Sequence, residues 1–150
     1  MLQQIIPSKT RIKILELFFH HPAENYYLRQ VVREINTEVN AVKRELDILE
    51  NVKVLLKERR LNKVFYTINK HYRFYDEFLR IFTKTDQLAS LIYQNSSRLG
   101  KVKFVAISTK FAKRLPIKED EIYLLLIGTV VVPEIAGIVA EVEKEFGRES

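Results

Sequence analysis

Cysteine and tryptophan are absent from this chain, methionine occurs once, and histidine appears only as His20, His21 and His71. Without cysteine there is no disulfide framework and no thiolate-ligated zinc site. Long apolar runs are missing too: the longest uncharged stretch, residues 122–133, has 12 residues, against the roughly 20 that a spanning helix requires. The N-terminus has no signal-peptide h-region. Together these absences predict a cytoplasmic protein with no membrane segment. No internal repeat or low-complexity tract is present. What is there is globular in character. The hydrophobic share is 47%, and 150 residues suffice for one ordinary core or two small ones.

Charge is unevenly placed. Residues 1–85 hold 16 Lys/Arg against 10 Asp/Glu, whereas residues 86–150 hold 9 of each, so the net charge of +6 belongs to the first part. Lysine and arginine gain affinity for a polyanion by releasing phosphate counterions. The alternative is a solvated basic surface.

The first part reads as helix, helix, helix, hairpin. Ser8 suits a helix N-cap, with Ile12, Leu15 and Phe19 at helical spacing and a stop at His20-His21-Pro22. Leu28, Val31, Val32 and Ile35 fall at i, i+3, i+4 and i+7, which predicts a second short helix. Asn36 suits a left-handed C-terminal cap and Thr37 an N-cap, so a three-residue turn leads to a third helix over residues 38–50. Val39, Val42, Leu46 and Leu49 are its predicted buried face. Residues 54–69, "VLLKERRLNKVFYTIN", read as two strands around a polar turn at residues 61–63. Tyr26 and Tyr27 read as core or as a small third strand. Further on, Tyr75, Phe78, Leu79 and Phe82 line one helix face, with Phe74 and Ile81 off it. Asp86 suits the cap of another helix carrying Leu88, Leu91 and Ile92, and "QNSSRLGK" at residues 94–101 reads as the domain boundary. The last 50 residues read strand, helix, strand, helix. The first of these helices is expected at residues 110–115. The final one carries Ile135, Ile138, Val139, Val142 and Phe146 between Pro133 and Gly147.

A short helix, a tight turn and a second helix can place the start of that second helix at base edges in the DNA major groove. The outward positions there include Glu38, Asn40, Ala41, Lys43 and Arg44, of which Asn40, Lys43 and Arg44 are the candidates. Asparagine can pair with adenine and arginine with guanine through two hydrogen bonds each, and lysine suits a phosphate equally. Lys57, Arg59, Arg60 and Lys63 cluster on the hairpin, where they can reach a phosphate backbone or the minor groove. With Thr37 at the helix start, these eight residues are the expected DNA-binding set.

"SKTRIKILELFF", "YYLRQVVREI", "NAVKRELDILENVKVL" and "RRLNKVFYTIN" together resemble, in order, the elements of the ArsR-type winged helix-turn-helix regulators in their archaeal form. The resemblance implies DNA binding, with the hairpin as the wing. ArsR-type repressors often sense metals through Cys or His; with no cysteine here, neither a metal nor another cofactor is expected. The stretch "KFVAISTKFAKRLPIKEDEIYLLLIG" resembles the minimal nucleotidyltransferase domain, whose chemistry uses a Gly-Ser turn and an Asp-x-Asp pair to hold a triphosphate and Mg²⁺. Alignment puts Thr109 and Lys110 at the Gly-Ser positions, and Glu121 and Tyr123 at the Asp positions. That implies a degenerate, truncated scaffold and no enzyme.

The expected fold is therefore α+β: a winged helix-turn-helix at residues 1–70, linker or dimerisation helices at 71–98, and a small α/β nucleotidyltransferase-like remnant at 99–150. The expected function is sequence-specific regulation of transcription by a homodimer on double-stranded DNA. Dimer contacts are expected from residues 72–96 or from the C-terminal remnant. Two alternatives stay open: a winged-helix adaptor that contacts protein, and a divergent nucleotidyltransferase using Glu121 with Glu119 and Asp120.

Overall fold

A computed structural model of the chain describes residues 2–108, 110 and 118–145. The described part is mixed α+β, with eight helices and two small antiparallel sheets. The chain divides into two compact units, Met1–Phe82 and Thr83–Ser150. No helix among the described residues is long and apolar enough to cross a membrane.

In the first unit a short α1 (Leu2–Ile5) precedes α2 (Lys9–His20). Ser8 caps α2, its hydroxyl accepting from the Arg11 amide at 3.1 Å. Strand β1 (Asn25–Tyr27) runs directly into α3 (Leu28–Ile35), where the Gln30 side chain accepts from the Tyr27 amide at 3.0 Å. Asn36 ends α3 in the left-handed region at φ 47°, as expected of a residue that tolerates that conformation. Helix α4 (Val39–Asn51) follows. Strands β2 (Leu55–Arg60) and β3 (Lys63–Ile68) form the hairpin, and β3 lies between β1 and β2 in the sheet. Tyr26 and Tyr27 thus belong to a third strand, Tyr26 buried and Tyr27 half-buried. Helix α5 (Tyr75–Thr83) closes the unit.

The core of this unit joins Ile14, Leu15 and Phe18 of α2 to Val31 and Ile35 of α3, Val42, Leu46 and Leu49 of α4, and Leu55, Tyr66 and Ile68 of the sheet. Phe19 stacks on Phe82 with ring centroids 5.4 Å apart, which brings α5 onto the same core. A buried polar link adds direction to this packing. Glu45 of α4, 6% exposed, accepts from the Ser8 hydroxyl at 2.9 Å and from Arg11 Nε at 2.7 Å, pinning α4 to the start of α2. A buried carboxylate with both partners in place is satisfied; removing one would leave the other unmatched.

Three expectations are corrected in this unit. Val39 is 43% exposed rather than buried, because the first turn of α4 extends past the core. Glu38, not Thr37, caps α4: its carboxylate accepts from the Asn40 amide at 2.8 Å and the Ala41 amide at 2.9 Å. The turn in the hairpin is two residues, Leu61 and Asn62, because Lys63 already pairs with Arg60. Leu61 adopts φ 52°, a conformation that costs a side chain with a Cβ about 1–2 kcal/mol.

The second unit holds α6 (Gln87–Gln94), α7 (Ser96–Leu99), β4 (Gly100–Ile107), β5 (Leu124–Val130) and α8 (Val132–Glu145). Asp86 caps α6 as expected, accepting from the Leu88 and Ala89 amides. Residues 94–101 are not a boundary: Leu99 is fully buried beside Leu88, Ile92, Ile138 and Val142. The expected linker at residues 71–98 is instead divided, α5 packing on the first core and α6 on the second. Strands β4 and β5 are antiparallel, with an irregularity between Val102 and Phe104. Opposite it, Gly128 sits at φ 146°, and a Cβ there would meet the Lys101 carbonyl oxygen at 2.1 Å. The expected helix at residues 110–115 lies largely outside the described residues, as do Thr109, Phe146 and Gly147.

Candidate nucleic-acid interface

Capping directs the start of α4. Asn36 turns the chain and Glu38 holds the first amides, so Asn40, Lys43 and Arg44 project from the exposed side, opposite Val42 and Leu46. These three border a cleft of about 630 Å³ together with Asp47, Glu50 and Lys57. An adjoining cleft of about 580 Å³ shares Lys43, Asp47 and Lys57 and adds Arg29, Lys63 and Tyr66. Four cations therefore face one acid in the second cleft, a balance suited to an anion.

The cations are not equally available. Asp47 holds Lys43 Nζ through both carboxylate oxygens, at 2.6 and 2.7 Å, and this hydrogen bond raises the Lys43 pKa above the ordinary lysine value. Glu50 approaches Lys53 at 3.0 Å and Lys57 at 3.4 Å, and its carboxyl is lowered chiefly by the Lys53 bond. Glu58 holds Arg60 at 2.8 Å. Arg44 and Arg59 have no ion-pair partner among the described residues, and Arg44 lies close enough to Glu38 to help lower that carboxyl. The Lys43–Asp47 and Arg60–Glu58 pairs are solvent-facing on both sides, where an ion pair contributes little and yields readily to a stronger anion.

Strand alternation sorts the hairpin further. Lys57 and Arg59 share the sheet face of Leu55, Tyr66 and Val64, whereas Arg60 and Lys63 occupy the other with Phe65 and Tyr27. There Arg60 lies 5.8 Å from the Phe65 ring centroid and Lys63 Nζ 4.4 Å from that of Tyr27.

Of the eight expected residues, Asn40, Lys43, Arg44, Lys57 and Lys63 come together around the two clefts. Arg59 and Arg60 lie on the hairpin outside them. Thr37 is half-buried, and its hydroxyl donates to the Ile35 carbonyl at 3.1 Å, so it faces back toward α3. Sequence reasoning puts Arg29 and Glu38 on outward helix faces without assigning them to the site, and it misses the acids Asp47 and Glu50. The i,i+4 spacing of Lys43 and Asp47 was the available signal for one of them.

In the second unit, the exposed Lys110 ammonium pairs with the Glu121 carboxylate, which also accepts from the Lys118 amide at 3.2 Å. The Lys110 bond lowers the Glu121 carboxyl below its usual range. Tyr123 donates its hydroxyl to Glu143 at 2.5 Å. Glu119 and Asp120 are exposed. Among the described residues, no three of His, Asp and Glu gather as a metal site. Comparisons with protein-family profiles, with curated proteins and with solved structures give no match to this chain.

Proposed function

We propose that the protein is a sequence-specific regulator of transcription that binds double-stranded DNA as a homodimer. Residues 1–70 act as a winged helix-turn-helix of the ArsR type, α4 serving as recognition helix and β2–β3 as wing. The observation that carries this reading is the exposed row Asn40, Lys43 and Arg44 on α4, bordering one cleft with Lys57 of the hairpin. Arg44 and Asn40 read base edges, Lys43 and Lys57 hold phosphates, and Arg59 and Arg60 add salt-dependent affinity. Residues 99–150 are a degenerate nucleotidyltransferase-like fold without phosphoryl-transfer activity. In support, the acid aligned with the first metal ligand, Glu121, is neutralised by Lys110, and a tyrosine aligns with the second. Exposed Phe74 just before α5, Ile81 on α5, and Phe104, Leu125 and Ile127 on β4–β5 are candidate dimer contacts.

Selection of bound fragments from total genomic DNA is the direct test and is expected to enrich a common sequence. On that sequence, Arg44→Ala is expected to lose about 1–3 kcal/mol of discrimination at one position, whereas Arg59→Ala weakens all duplexes alike and lowers the salt slope by about 1. Failure to enrich any sequence, with uniformly weak binding at physiological salt, would exclude this reading in favour of a protein-contacting role.

A further inference from the structure

The tip of the hairpin breaks a local rule. Leu61 sits at φ 52°, a position that glycine or asparagine takes without strain, and the residue is 96% exposed. One exposed leucine is ordinary on a protein surface. A leucine that is neither buried nor suited to its backbone conformation, at the outermost turn of a hairpin, is not explained by packing. Strained positions of this kind concentrate where a side chain is held for use. Its surroundings indicate the use: Arg59 and Arg60 precede it and Lys63 follows, all exposed. The strands pair up to Arg60 and Lys63, so the two-residue tip stands on a fully paired base.

We propose that Leu61 is an apolar wedge that enters the minor groove of duplex DNA and parts a base step, while Arg59, Arg60 and Lys63 neutralise the flanking phosphates. The inference rests on the DNA-binding reading and adds to it a deformation of the duplex. An apolar side chain at a parted step replaces lost base stacking, and the duplex kinks toward the major groove. Leucine carries no hydrogen-bonding group, so its contribution to specificity comes from deformability. Pyrimidine–purine steps, which unstack most easily, are favoured at that point.

The test uses the full chain and a duplex selected from genomic DNA, end-labelled for energy transfer and carrying 2-aminopurine at successive steps. The wild-type protein is expected to shorten the end-to-end distance and to raise fluorescence at one step. Leu61→Asn, which suits the left-handed position and keeps the fold, should abolish both signals and weaken binding roughly tenfold with the salt slope retained. Leu61→Met should preserve them. Bending and fluorescence unchanged in Leu61→Asn overturn the wedge while DNA binding stands. A wild-type protein that binds no duplex overturns the wedge and the regulator reading together.

Discussion

Glu38 performs at the start of α4 a task that the neighbouring Thr37 was expected to perform. Threonine is the better intrinsic cap, but after the left-handed Asn36 its hydroxyl turns back to Ile35, and the next side chain reaches the free amides instead. A carboxylate there also suits the positive end of the helix. The amides of Asn40, then Ala41, lower the Glu38 carboxyl below its ordinary 4.5. The sign follows: a depressed carboxyl contributes stability that is complete above 4.5 and is lost as pH falls through the lower folded-state value. NMR titration is expected to show the Asn40 and Ala41 amides shifting with a midpoint below 4.5, and no such transition in Glu38→Gln. A midpoint at or above 4.5 would remove the cap. The sequence made legible that a cap stood here, but not which of two adjacent side chains turned inward. That choice is made by the φ of the residue before them.

At the scale of the element, α4 is both a packing helix and a charged surface, and these were legible to different degrees. Val42, Leu46 and Leu49 follow helical periodicity into the core as the pattern predicts, while Val39, on the same stripe, lies beyond the core's edge. Periodicity gives the direction of a side chain but not how far the partner surface extends. Charge pairing was less legible still, because Glu50 meets Lys57 only once the hairpin has folded against the helix. The Lys43–Asp47 pair lies within α4 and masks a cation at the centre of the proposed interface. An acid on that surface repels phosphates, and releasing its lysine adds a contact. Asp47→Asn is therefore expected to tighten binding to unrelated duplexes and to steepen the salt slope by about 1, with little change in thermal stability. Fluorescence anisotropy across a salt series measures both. An unchanged slope would place Lys43 away from the phosphates.

For the whole molecule, the order of elements was largely legible while the division between units was not. A polar stretch such as residues 94–101 has the composition of a linker, yet it carries Leu99, one of the most buried side chains of the second unit. Aromatic residues decide the actual division: Phe82 completes the stack on Phe19, and the chain leaves the first core there. Charge respects nearly the same line. Residues 1–85 carry 16 basic against 10 acidic side chains, an excess of 6, and residues 86–150 carry 9 against 9, an excess of none. A polyanion that binds by counterion release should therefore engage the first part alone. Exposed Lys101 and Lys103 on β4 provide the comparison with the hairpin cations. Changing both to Gln is expected to leave the salt dependence of DNA binding unaltered, whereas Arg59→Ala lowers the slope by about 1. Equal losses from the two changes would mean that the second unit also lies on the duplex. Its balanced charge would then have to be read as a mixture of contacting and non-contacting faces.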